Sequence, residues 1–212
     1  KVPFATRFNL LLLQEFTKDK NGMYYVAEDV NKALQIKELK LACANFFQDA
    51  FLRDVELQEW RDLFAYLEKV IPQDKKIYLA IDEFSYIVKN DAGFASSFQK
   101  FWDLFASKTQ LCIIVSGSLL GLMLEQVLSA SSPLYGRRTR EMLITPLKFA
   151  HARAFLNMPF EEQLLTFFAI HGIPEYLLKA QHYTSAKAFF SEEFLKKEGY
   201  FYREPFYLLS QE

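Results

Sequence analysis

The chain has 212 residues, of which 51% are apolar and 24% charged, with 25 basic against 26 acidic side chains. That is ordinary globular composition, enough for one large domain or a core with a small appendage. A net charge of −1 gives no electrostatic case for nucleic acid or an anionic membrane as an obligatory partner. No apolar run approaches the roughly 18–20 residues of a membrane span, and Lys1-Val2-Pro3 leads into no signal-peptide core. Two cysteines, Cys43 and Cys112, are too few for a disulfide scaffold and fit a reducing cytoplasm. The sequence does not begin with Met, which leaves room for a start further upstream.

In chain order, the Leu-rich stretch from Arg7 to Phe16 reads as a helix, and Gly22 to Glu28 as a short strand. Apolar residues recur at helical spacing from Asp29 to Asp49 (Val30, Ala33, Leu34, Leu39, Ala42, Cys43, Phe46, Phe47). They do so again from Glu56 to Val70, where Pro72 ends the pattern. Ile77–Ile81 is a continuous apolar run, as expected of a strand buried on both faces. A helix follows near Gly93–Ser107 with Phe98, Phe101, Trp102 and Phe105 on one face. Leu111–Val115 is a second buried strand, and Met142-Leu143-Ile144 a last one, ended by Pro146. Strands alternating with helices of this length imply crossover units and a parallel sheet. From Phe149 onward only helical patterns remain: His151–Phe155, Glu161–Ile170, Pro174–Ala180 and Ser185–Lys197. The expected organisation is therefore an α/β core over residues 1–147 and a small helical subdomain over 148–212.

The run Ile77–Ile81 ends abruptly in Asp82-Glu83. Ligands of parallel sheets sit just beyond the carboxyl ends of the strands, so both carboxylates emerge where a binding crevice is expected. In P-loop NTPases an Asp at this place helps hold Mg²⁺, and a Glu beside it can activate water. The alternative is a strand ending in a polar turn, although the bulky Phe84-Ser85-Tyr86 is unusual for a solvated one. Ser116-Gly117-Ser118 follows the second buried strand, as a phosphate- or water-binding hydroxyl or as a plain helix cap. In Pro133-Leu134-Tyr135-Gly136-Arg137-Arg138-Thr139, paired guanidinium forks suit phosphate oxygens, or else decorate a solvated loop. An Arg acting on a neighbouring copy's nucleotide would require self-association. Gly172-Ile173-Pro174 is good helix-start chemistry whatever else it does. His151, His171 and His182 show no metal-ligand spacing with Cys, and no Ser-His-Asp arrangement can be argued.

A phosphate loop of the form G-x-x-x-x-G-K-[ST] should precede the first helix. The first glycine is Gly22, and no Gly-Lys dipeptide occurs; Pro3–Leu10 fills the slot, with Asn9 where the Lys would stand. Either the loop has been lost, leaving a pseudo-ATPase scaffold or binding module, or it belongs to a stretch outside this sequence.

Taken together the motifs resemble the archaeal-type ATPase family of the AAA+/STAND division of P-loop NTPases. The similarity runs over roughly residues 10 to 212. It rests on Gln14-Glu15-Phe16, Gly22–Ala27, Ile81–Tyr86, Ser116-Gly117-Ser118, Ser132–Thr139, Pro146-Leu147 with Phe149, Gly172–Leu177, and Glu204-Pro205 with Tyr207-Leu208-Leu209. The resemblance implies a P-loop NTPase-like parallel sheet sandwiched by helices, followed by a helical lid. It also implies ATP and Mg²⁺ as cofactors, and hydrolysis that drives a conformational change. Residue by residue, it implies Asp82 as the Walker B metal ligand and Glu83 as the residue activating water. Ser116 or Ser118 would be the sensor, Arg137 and Arg138 phosphate-sensing or trans-acting groups, and Pro174 beside Gly172 the adenine contact. Family members usually continue into a winged helix and a nuclease-like region, so by this resemblance the sequence is a fragment. A nuclease reading of Asp82-Glu83 finds no E-x-K partner at a convincing spacing. A DNA or protein client is not specified.

Overall fold

The computed structural model describes the backbone of residues 6–117, 123 and 129–209, and the side chains of 12–117, 123 and 129–206. The chain divides into two compact units, Lys1–Met142 and Leu143–Glu212, so residues 143–147 group with the helical segment.

The first unit begins with α1 (Thr6–Lys18), β1 (Gly22–Val26), α2 (Lys32–Phe47), α3 (Ala50–Asp54) and α4 (Trp60–Val70). It continues with β2 (Ile77–Asp82), α5 (Phe84–Asn90), α6 (Phe94–Leu104) and β3 (Leu111–Val115). The three strands form one parallel sheet in the order β1-β2-β3, with Tyr24 opposite Ala80 and Ile81 opposite Val115. The central strand is the one with the most continuous apolar run, and every residue from Leu79 to Asp82 is buried. The helices start where their caps dictate. The Asn31 side chain accepts the Leu34 N–H at the head of α2, and that of Asp49 accepts the Leu52 N–H at the head of α3.

An aromatic cluster fills the space between α4, α5 and α6. Trp60 meets Phe94 edge-on at 4.7 Å, Phe64 stacks on Phe101 at 4.9 Å, and Phe84 contacts Phe94 at 5.4 Å and Phe98 at 5.8 Å. The buried Trp60 indole N–H is satisfied by Asp91 Oδ2 at 2.9 Å. Each such ring contributes about 1.5–3 kcal/mol by leaving water, so this cluster is the main anchor of the first turn of α5. That turn carries the residue directly after the acidic pair.

One expectation differs from what is observed, and one helix was not expected. Met142-Leu143-Ile144 is not a strand: no ladder partner lies beside it among the described residues, and Met142 and Leu143 are 81% and 75% exposed. An apolar triplet alone does not form a strand without an edge to pair with. Conversely, α5 is a helix that begins on the residue following Glu83, without a side-chain cap to announce it.

The second unit is helical, with α7 (Phe149–Ala152), α8 (Phe160–Ile170), α9 (Pro174–Ala180), α10 (Ala186–Phe190) and α11 (Tyr200–Leu209). Its core is built from Ala152, Leu156, Met158, Ile170, Leu177, Ala180, Ala186 and Phe189. Pro205 lies inside α11, so the helix runs past the residue that punctuates it in sequence.

Candidate functional site

Asp82 ends β2 and is fully buried, and Glu83, the next residue, is 3% exposed. An ionised carboxylate in that position requires strong hydrogen-bond donors. Asp82 has three. Its Oδ1 accepts the Ser116 hydroxyl at 2.5 Å and the Glu83 backbone N–H at 3.0 Å, and its Oδ2 accepts the Tyr24 hydroxyl at 3.0 Å. Ser116 and Glu83 lie just past the ends of β3 and β2, and Tyr24 in the middle of β1. Main-chain bonds fix the same junction: Ser116 N–H to the Ile81 carbonyl at 3.0 Å, Phe84 N–H to the Ser116 carbonyl at 2.9 Å, and Ala27 N–H to the Asp82 carbonyl at 2.9 Å.

Glu83 adopts a left-handed backbone, φ 52° and ψ 34°, at the turn from β2 into α5. For a residue with a Cβ this conformation costs about 1–3 kcal/mol and persists where the surroundings over-determine it, characteristically at functional sites. Here the Phe84 ring in the aromatic core and the Phe84 N–H on Ser116 hold the turn. Burial, and then the charge of Asp82, push the Tyr24 phenol well above its ordinary pKa, so it is a neutral donor.

Ser85 is the second residue of α5, its hydroxyl buried and without a hydrogen-bond partner among the described residues. A Cβ built on Gly117 would stand 3.3 Å from that oxygen and 2.9 Å from the Met123 side chain, so a larger residue at 117 would require those side chains to shift. Ser118, the other hydroxyl of that turn, lies outside the described residues, as does the stretch Lys1–Ala5 at the head of the expected phosphate-loop slot.

Arg137 and Arg138 are in the same unit but not in this cluster. Arg137 grips Asp103 on α6 through Nε and Nη2, each bond 2.8 Å long, and its Nη1 donates to the carbonyls of Pro133 at 2.7 Å and Tyr135 at 3.2 Å. The pair holds the Asp103 carboxyl below the usual carboxylate range, chiefly through the hydrogen bonds. Arg138 Nε stands 3.6 Å from Glu141 Oε2. These residues, with Trp102, Ser107, Tyr135, Gly136 and Thr139, line an open depression of about 560 Å³.

Gly172 and Pro174 belong to the second unit. Pro174 opens α9 at its first position, where its missing N–H costs nothing. Gly172 accepts the Leu147 N–H at 2.7 Å, and a Cβ on it would lie 1.7 Å from the Leu147 carbonyl oxygen, so only glycine fits. The residue before it, His171, has φ 53° and ψ −160°, a region normally left to glycine.

Sequence reasoning brought out Asp82, Glu83 and Ser116 but not Tyr24, which is the third donor to the same carboxylate. The signal was its place on the strand beside β2, which becomes informative only once the register is known.

The model of an ATPase domain family found predominantly in Archaea matches residues 9–169. The chain belongs to that family. Two relatives come from Methanocaldococcus jannaschii. The uncharacterized protein MJECL04 is 35% identical over 125 residues, which is 58% of this chain and 27% of the relative. The uncharacterized protein MJ0424 is 42% identical over 57 residues, 27% of this chain and 54% of the relative. Among solved structures, the Walker-type ATPase PABY2304 of Pyrococcus abyssi superposes with a TM-score of 0.64 at 20% identity, covering 81% of this chain and 57% of that one. The matches thus span between about a quarter and somewhat over half of these relatives' lengths. The fold is the P-loop NTPase-like α/β arrangement, and at family level the matched region is an ATPase domain. No described helix is long and apolar enough to cross a membrane.

Proposed function

We propose that the chain carries the magnesium- and water-handling part of an ATP-hydrolysing site. The observation that supports this most directly is the buried Asp82-Glu83 pair at the end of the central parallel strand, with Glu83 held in a strained backbone conformation. Two adjacent buried carboxylates make poor structural filler, because each demands compensation that apolar residues would not. They suit a hard, oxygen-seeking divalent cation.

The fit to Mg²⁺ can be judged from the donor set. Oδ1 of Asp82 already accepts two hydrogen bonds and Oδ2 one, leaving Oδ2 a single acceptor position. Among the described residues no group of three or more His, Cys, Asp and Glu could hold a metal by itself. Mg²⁺ usually keeps several waters and takes one or two carboxylates plus substrate phosphates, which matches one well-supported carboxylate and nothing more. Bound there, the ion would neutralise charge on the transferring phosphoryl group.

In this reading Asp82 anchors the hydrated metal and Glu83 orients the attacking water. Ser116, or Ser118 beyond it, senses the terminal phosphate. Arg137 and Arg138 are phosphate-sensing groups or act on a second copy, and in the first case Arg137 must leave Asp103. Residues 1–147 form the nucleotide-binding core. Residues 148–212 are its helical lid, with Gly172 and Pro174 as adenine-contact candidates. Lid closure on ATP would transmit nucleotide state to a client. A cytoplasmic setting, ATP as ligand and self-association belong to the same proposal.

One rival is a pseudo-ATPase scaffold that keeps the fold without the phosphate-binding loop. Calorimetry of the full-length protein with ATP, with and without Mg²⁺, separates the two. Metal-dependent binding that is lost in Asp82→Ala, with turnover cut by orders of magnitude in Glu83→Gln, supports the ATPase. Metal-independent binding or none supports the scaffold.

A further inference from the structure

Tyr24 stands opposite Ala80, two residues before Asp82 on the neighbouring strand. Alternate residues of a strand share a face, so Tyr24, Ala80 and Asp82 lie on one side of the sheet. Ser116 follows Val115, which pairs with Ile81, and so falls beside Asp82 on that side. Ala80 is fully buried and has only a methyl group. It leaves the diagonal from Tyr24 to Asp82 open, and the phenol hydroxyl reaches Oδ2 across 58 residues of sequence.

The three donors play unequal parts. Ser116 and the Glu83 N–H both address Oδ1, so by themselves they leave the carboxylate free to tilt about that oxygen. Tyr24 is the one donor among the described residues that addresses Oδ2. We propose that Tyr24 is a positioning residue for the metal site: its hydroxyl fixes the rotation of the Asp82 carboxylate, so that the one unfilled acceptor position of Oδ2 is presented to a hydrated divalent cation. This rests on the reading of Asp82 as the metal anchor. Tyr24 itself stays off the metal, since a neutral phenol that donates to Asp82 acts through that carboxylate.

The test uses full-length protein and two probes, Mn²⁺ with ADP followed by electron paramagnetic resonance, and ADP alone in EDTA. Tyr24→Phe keeps the ring and removes the donor. The expected result is Mn²⁺ affinity lowered by about tenfold, the lower end of the effect of losing an outer-shell partner, with metal-free ADP affinity unchanged. In an Asp82→Asn background the same change should have no further effect on Mn²⁺. Ala80→Val, which closes the diagonal while leaving both polar groups in place, should lower Mn²⁺ affinity in the same direction and guards against a folding defect in Tyr24→Phe. Wild-type Mn²⁺ affinity in Tyr24→Phe, or an equal loss of metal-free ADP binding, overturns the inference. Wild-type protein that takes up no Mn²⁺ with ADP overturns the ATPase reading first, and the inference with it; that failure appears in the control before any variant is measured.

Discussion

Ser116 Oγ stands 2.5 Å from Asp82 Oδ1, an O–H donated from the end of one parallel strand to the end of the next. The bond ties the end of β3, where Leu111 alone is buried and the other four residues are half-buried rather than buried throughout as expected, to the end of the buried β2. Ser116→Ala leaves Oδ1 with the Glu83 N–H alone. A buried charged acceptor short of a donor costs about 1–3 kcal/mol, and Ser116→Thr, which restores the hydroxyl, should recover most of it. Urea denaturation of the three proteins gives the comparison; equal midpoints for Ser116→Ala and wild type would show that Asp82 does not depend on this donor.

The left-handed backbone of Glu83 can be weighed separately from its side chain. Glu83→Ala and Glu83→Gly both remove the carboxylate, but only glycine is at ease at φ 52°. The glycine variant should be the more stable of the two by about 1 kcal/mol, measured by denaturation. Equal stabilities would mean that the turn relaxes when the side chain is gone.

The Asp103–Arg137 pair predicts a pH dependence. Arg137 depresses the Asp103 pKa, so the pair's contribution is fully present above the ordinary carboxylate value of about 4 and is lost as pH falls through the lower, folded value. Asp103 is at the surface, so the effect is small. The difference in thermal midpoint between wild type and Asp103→Asn should be constant near neutrality and shrink in that acid window. A gap that widens on acidification would contradict the assignment.

Gly172 gives the sharpest steric prediction. A methyl group there meets the Leu147 carbonyl oxygen at 1.7 Å, so Gly172→Ala must shift backbone rather than a flexible side chain. The cost should reach or exceed the 1–3 kcal/mol typical of overpacking, roughly. His171→Gly, one residue earlier, should instead stabilise by about 1 kcal/mol through relief of its strained φ,ψ. Guanidinium denaturation of the two variants should move in opposite directions.

How much of this could be read from sequence depended on range. β2 and β3 are continuous apolar runs, and the signal for a strand lies within five or six residues, so both were found to within one residue, although only β2 is buried along most of its length. The pair Asp82-Glu83 was conspicuous for the same reason, as the point where an apolar run stops. Met142-Leu143-Ile144 has the same local pattern, yet pairing is a property of a second strand, which local pattern does not contain. α5 is seven residues long and follows the sheet directly, too short for periodicity to show. The Tyr24 contact, the Asp103 partner of Arg137 and the Leu147 wall against Gly172 span 58, 34 and 25 positions, and only the assembled fold brings them together.

Phe84 is nailed at both ends, its ring among Phe94 and Phe98 and its amide on Ser116. A residue fixed in this way cannot travel, so the acidic couple before it behaves as the anvil rather than the hammer. Under the proposed function, whatever rearranges on nucleotide binding has to be borne by chain that lacks such moorings. A spectroscopic label attached beside Phe84 would therefore serve as the stationary reference against which motion elsewhere is measured.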